Sequence, residues 1–137
     1  MAGAFLAGKG AAPERWAPLV PELLVSDLVR SVRFWCDFLG FAVAYERPGF
    51  VYLTRGELQV MLCGRDGTWE TAEMQPPFGR GINLQMVVPE IAPILSALAA
   101  AGWGLYQEPV EAWYEVGQRE FLVQDPDGYL LRFAETI

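Results

Sequence analysis

The feature that most restricts the fold is an order of elements that occurs twice. Val25-Ser26-Asp27-Leu28 through Leu39-Gly40-Phe41 and Val88-Pro89-Glu90-Ile91 through Ala101-Gly102-Trp103 share one pattern: strand end, helix, glycine stop. In the first copy Ser26-Asp27 caps a helix that runs to about Leu39, and Gly40 ends it. Leu28, Val32, Trp35, Cys36 and Leu39 recur at helical spacing and form its buried stripe. In the second copy the helix runs from about Glu90 to Ala101. Pro93 sits in its first turn, where a missing N–H leaves no bond unmade, and Ile91, Ile94, Leu95 and Leu98 form the stripe. A strand precedes each helix (Trp16 to Val25, Gly81–Val88). Strand runs follow: Phe41–Glu46, Phe50–Thr54 and Glu57–Cys63 in the first copy; Leu105–Gln107, Ala112–Val116 and a closing hairpin in the second. The chain therefore reads as α+β, two βαβββ modules in a repeat of about 60 residues. Residues 16–64 and 81–137 are the modules, 65–80 a linker loop with a Pro-Pro pair, and 1–15 a flexible Gly/Ala-rich arm.

The closing hairpin has a stated cause. In Arg119–Ala134, strand formers flank Asp125-Pro126-Asp127-Gly128; Pro126 presets φ for the turn and Gly128 supplies a positive φ. Its second strand alternates Leu131 and Phe133 with Leu130, Arg132 and Ala134, so a cation stands on the face opposite the apolar one.

Composition removes several functions. The net charge of −7 argues against nucleic acid, whose binding needs basic patches to neutralise phosphate. No apolar run reaches the roughly 20 residues that span a bilayer. The opening MAGAFLAGKG has no basic stretch ahead of its short apolar patch, so a signal peptide is not expected. Cys36 and Cys63 fall in different elements of a chain large enough to need no staple. Two free thiols and a cytoplasmic location follow as expectations. Histidine is absent, which excludes the commonest general base, the Ser-His-Asp and Cys-His arrangements, and imidazole metal ligation.

Helix stripes must bury on the all-apolar strand faces. The opposite faces carry Val20, Glu22, Leu24, Gln59, Met61, Cys63, Asn83, Gln85, Leu130 and Arg132. Amides, a thioether, one acid and one base suit the lining of a ligand cleft; a polar outer face without a function is the plain alternative. Glu22 and Arg132 either form a structural ion pair or fix the polar group of a ligand. Cys63 has nothing nearby in sequence to lower its pKa and is read as a small filler.

Val25-Ser26-Asp27-Leu28-x-x-Ser31-x-x-Phe34-Trp35-x-x-x-Leu39-Gly40-Phe41 resembles the first-helix signature of the vicinal oxygen chelate superfamily. Arg119-Glu120-Phe121-x-x-x-Asp125-Pro126-Asp127-Gly128-Tyr129-Leu130-Leu131-Arg132-Phe133 resembles its closing hairpin. Within it the chain most resembles the glyoxalase/bleomycin resistance proteins, over about Leu19 to Glu135. The resemblance implies a U-shaped mixed sheet around a cleft, helices on the outer face, and a homodimer. It also implies metal ligands near the positions of Val20, Met61, Asn83 and Arg132. None of these suits a hard divalent ion, so no metal and no cofactor are expected.

Metal-free members of the family sequester bleomycin-type drugs, cationic molecules with planar aromatic parts, in grooves at the dimer interface. The resemblance thus implies a binding protein. Glu22, Gln59, Met61, Asn83, Gln85 and Arg132 would line the site and Trp69, Trp113 and Phe121 would stack. Phe50, Tyr52 and Tyr114 are further groove candidates, and one of Trp113 and Tyr114 would face the cleft. Trp69, in a polar loop, is a groove wall or a dimer contact. The enzyme alternative is a lyase, isomerase or transferase with Glu22 as base and Arg132 holding an oxyanion. A dimer that kept the fold and lost the ligand is the third.

Overall fold

The computed structural model describes residues 12–66, 69–112 and 117–136. The chain divides into two compact units, Met1–Met74 and Gln75–Ile137. Each holds a four-stranded mixed sheet with helix, the α+β arrangement that the doubled pattern requires.

The first unit comprises β1 (Glu22–Val25), α1 (Leu28–Arg33), β2 (Ala42–Arg47), β3 (Phe50–Arg55) and β4 (Leu58–Gly64), in sheet order β1-β4-β3-β2. β1 runs parallel to β4 because a helical crossover joins the first strand to the rest; the hairpins make the other pairs antiparallel. Asp27 caps α1 by accepting from the Arg30 N–H at 3.1 Å. The helix does not run evenly to Leu39. Phe34–Phe38 forms a wider π-helical turn, closed by the Leu39 N–H on the Phe34 carbonyl. This brings Phe34 and Trp35 side by side into the core. Leu23, Val25, Val43, Val51, Leu53, Val60 and Leu62 are buried on the face that α1 packs against, with Val32, Trp35, Leu39 and Phe41. The expected strand from Trp16 shortens to Glu22–Val25, and residues 12–21 lie outside any strand.

The second unit comprises β5 (Asn83–Val87), α2 (Ala92–Ala100), β6 (Gln107–Ala112), β7 (Gln118–Gln124) and β8 (Leu130–Thr136), in sheet order β5-β8-β7-β6. β5 is parallel to β8, which repeats the crossover of the first unit. Pro93 does fall in the first turn of α2. No side chain of the helix caps it; Glu135 on β8 accepts from the Ile91 N–H at 2.8 Å instead. In place of the first expected run, Leu105–Gln107, stands an edge strand, β6, whose register shifts between Gln107 and Val110; the second, Ala112–Val116, lies beyond Ala112 outside the described residues. An edge bulge is where a proline without an N–H fits a sheet. Leu131, Phe133, Phe121 and Val123 are fully buried, as are Ile94 and Leu98 of α2.

The Asp-Pro-Asp-Gly turn forms as its residues require. Asp125 Oδ1 accepts from the N–H groups of Asp127 (3.0 Å) and Tyr129 (2.9 Å), and Gly128 takes φ +97°. Part of the expected linker packs on this turn: the Phe78 N–H donates to the Asp127 carbonyl at 2.8 Å and Phe78 is buried.

Candidate functional site

In the first unit, strand register assembles rows of side chains on the face away from α1. Glu22, Met61, Tyr52 and Tyr45 form one row; Leu24, Cys63, Phe50 and Arg47 form the next; Gln59 and Thr54 begin a third. The result is an aromatic cluster outside the helix-facing core. Ala44, Phe50 and Tyr52 are buried in it, with Val20, Tyr45, Met61 and Cys63 packed against them. Tyr45 and Tyr52 stack at 5.3 Å between centroids. The Arg47 guanidinium lies over the Phe50 ring, 3.7 Å from its centroid, so this face already holds a cation on a π-system. Trp16, from the segment ahead of β1, meets Tyr52 edge-on at 4.9 Å and Tyr45 at 5.8 Å.

Two of these positions escape simple alternation. Counting from Phe41 places Tyr45 with Val43 on the core face; a bulge between Val43 and Tyr45 turns it to the other. Trp16 belongs to no strand. The available signal was parity: in the expected strand from Trp16, that residue shares a face with Val20, Glu22 and Leu24.

Gln59 was expected to hydrogen-bond a ligand, and the structure uses its amide within the chain. Its Oε1 accepts from the Tyr52 hydroxyl (2.5 Å) and the Ala17 N–H (2.8 Å), and its Nε2 donates to the Arg15 carbonyl (2.8 Å). A cavity of about 910 Å³ lies beside this bridge, between residues 13–18 and the β3–β4 turn. Burial pushes the Tyr52 hydroxyl above its ordinary pKa, with a smaller contribution from Tyr45. Burial also raises the Cys63 thiol, followed by the carboxylates of Glu22 and Asp66, with Arg47 opposing. A thiol held in its neutral form is a poor nucleophile, which agrees with its reading as a filler.

In the second unit the face away from the buried aromatics carries Asn83, Gln85, Leu130, Arg132, Leu122 and Gln124. Arg132 Nη2 donates to Gln85 Oε1. Arg132 Nε is buried and finds no hydrogen-bond partner among the described residues. Asn83 and Gln85 are exposed. Phe121 requires correction. It is 0 % exposed and stacks on Phe133 at 5.6 Å, because β7 alternation points it to the apolar face with Val123. It is core and offers a ligand no surface. Trp69 is 63 % exposed. Trp113 and Tyr114 lie outside the described residues.

Residues 18–133 match the glyoxalase/bleomycin resistance protein/dioxygenase superfamily. The chain belongs to this superfamily. It is similar to the bleomycin resistance protein of Geobacillus stearothermophilus, 26% identical over 128 residues, covering 86% of this chain and 96% of that one. The virulence protein STM3117 of Salmonella typhimurium is 24% identical over 116 residues, covering 84% and 81%. Its crystal structure superposes with a TM-score of 0.68 at 23% identity over 86% of this chain and 94% of that one. TioX from Micromonospora sp. ML1 gives 0.72 at 20% identity, covering 89% and 100%. These structures share the fold.

The four positions that the resemblance assigns to a metal do not fit one. Val20 and Met61 pack against the aromatic cluster, Asn83 offers a single amide oxygen, and Arg132 brings a positive charge. Among the described residues no group of three or more His, Cys, Asp or Glu converges, and no helix is long and apolar enough to cross a membrane.

Proposed function

We propose that this protein is a small-molecule binding protein that sequesters a planar, aromatic, cationic ligand of the bleomycin type. It acts without metal and without chemistry, as a homodimer in the cytoplasm. The observation that carries this reading is the aromatic face of the first unit. It gathers Trp16, Tyr45, Phe50 and Tyr52 on the side of the sheet away from α1, where helix packing gives no reason for four rings. Arg47 over Phe50 is an internal example of the contact that a ligand cation would make. The net charge of −7 favours a cationic ligand, and similarity to bleomycin resistance proteins along most of the chain supports the class. Cys36 and Cys63 form no disulfide, which accords with a reducing compartment. Trp69, Trp113, Glu22, Met61, Asn83, Gln85 and Arg132 remain candidate ligand contacts.

The test is titration of tryptophan fluorescence with metal-free bleomycin. Saturable quenching at micromolar or tighter affinity, weakened by Trp113→Ala, supports sequestration. An unchanged signal at high drug concentration removes bleomycin as the ligand.

The Arg132 Nε, without a hydrogen-bond partner among the described residues, favours a second reading, a lyase, isomerase or transferase in which Arg132 holds an oxyanion and Glu22 is the base. Turnover of a glutathione adduct, or stoichiometric metal in the purified protein, would select the enzyme and overturn the metal-free reading.

A further inference from the structure

A ligand that stacks on the first unit meets an obstacle. Tyr52 is 5 % exposed and Phe50 is 4 % exposed, although both lie on the face away from α1. Something must leave before a ring from outside can reach Tyr52. The group in contact with the Tyr52 and Tyr45 rings that is most open to solvent is Trp16, itself 49 % exposed.

How firmly Trp16 sits can be read from what holds it. Residues 12–21 belong to no strand; Pro21 accepts from the Met61 N–H on β4 at 2.9 Å, and among the described residues no backbone bond to the sheet fixes residues 12–20. Among the described residues, the hydrogen bonds tying Arg15 and Ala17 to the sheet run through one side chain, Gln59. That amide brackets Trp16, bonding the residue before it and the residue after it, while its Oε1 also accepts from the Tyr52 hydroxyl. The cavity of about 910 Å³ is lined by Arg15, Ala17 and Gln59 themselves, so the segment is not packed down there. An indole edge on two phenols and one amide clasp make a contact that can open as a unit.

We propose that Trp16 is an internal occupant of the aromatic face, latched by Gln59, and that a planar cationic ligand binds by exchanging with it. The inference rests on the binding reading above and adds its competitor. It also reassigns Gln59, which controls access and is not itself a ligand contact. The apparent affinity of the face is its intrinsic affinity reduced by the fraction of molecules with Trp16 lifted.

The experiment has a ligand-free arm and a binding arm on the full chain. In amide hydrogen exchange, Gln59→Leu is expected to speed exchange of the Ala17 N–H about tenfold or more, with β3 and β4 unchanged. Unchanged exchange at Ala17 refutes the latch. In the binding arm, wild type, Trp16→Ala, Gln59→Leu and Tyr52→Ala are titrated with metal-free bleomycin and with the planar cationic dye acridine orange. Trp16→Ala and Gln59→Leu are expected to bind about tenfold more tightly, and Tyr52→Ala more weakly. If Trp16→Ala weakens binding as Tyr52→Ala does, Trp16 is a wall of the site and the proposal is overturned. If bleomycin binds no variant while the dye binds Trp16→Ala more tightly than wild type, the drug reading fails and the exchange stands. If the dye binds Trp16→Ala no better than wild type, the exchange fails.

Discussion

The two units spell the same order of elements, yet the faces that their sheets turn away from the buried helix side are finished differently. In the first unit that face is a packed aromatic cluster; in the second it presents amides and Arg132. The segment ahead of each module's first strand accounts for much of the contrast. Residues 15–17 reach across the first sheet and bond Gln59 on β4. Residues 76–79 instead pack on the end of a hairpin: Phe78 bonds Asp127, and the Gly79 position closes on the Tyr129 ring. One lead-in segment covers a binding-type face, while the other braces a turn. A repeated fold can therefore keep one half for rigidity and leave the other with a movable part.

Substitutions can break or sharpen that contrast. The largest effect is expected from Phe121→Ala, which empties a fully buried ring site in the second core. A loss of about 3–5 kcal/mol in urea unfolding is expected. A loss below about 1 kcal/mol would return Phe121 to the list of surface residues.

Gly128→Ala comes next. A Cβ there would lie 2.5 Å from Pro77 Cβ and 2.7 Å from its Cα, at a φ of +97°. About 2–3 kcal/mol of destabilisation is expected, since both strain and backbone collision act. A small effect would mean that the brace on the second unit is as loose as the latch on the first.

Tyr52→Phe removes one bond to Gln59 and is expected to cost about 1 kcal/mol near neutral pH. It also tests an alkaline dependence. The folded-state pKa values of Tyr52 and Cys63 are raised, so their protonated forms favour the fold. That stability is complete below the ordinary thiol and phenol pKa values of 9.0 and 10.0 and falls as pH rises through them toward the raised values. Thermal melts from neutral to strongly alkaline pH should show this fall, shallower in Tyr52→Phe.

Arg132→Met is expected to have the smallest effect, within about 0.5 kcal/mol, because the bond to Gln85 is exposed and the Nε has no partner among the described residues. A large loss would show that the polar face is as tightly built as the aromatic one.

Much of this was legible in the residues. The doubled strand–helix–strand order, Pro93 in the first turn of α2, the Asp-Pro-Asp-Gly turn and the alternation of β4, β5 and β8 all follow from local chemistry, and the structure has them. Positions decided by a one-residue departure were not legible. The bulge after Val43 turns Tyr45 over, and the wider turn at Phe34–Phe38 interrupts a helix whose stripe looked continuous. The site was harder still. Gln59 reads as a polar group on the right face, but two of its three partners are 44 and 42 residues away, beyond any local pattern. Phe121 lies beside the hairpin motif, which suggests a groove, but its strand parity with Val123 sends it to the apolar core.

The amide of Gln59 has one further consequence. An isosteric carboxylate would keep the oxygen that meets Tyr52 and Ala17 and place a second oxygen against the Arg15 carbonyl, where the amide nitrogen now donates. Attraction would become repulsion through the identity of one atom. Deamidation, a spontaneous ageing reaction of such side chains, would make that replacement without any change in the gene. Protein stored long enough to deamidate there would hold its lead-in segment through the Ala17 bond and lose the one to Arg15.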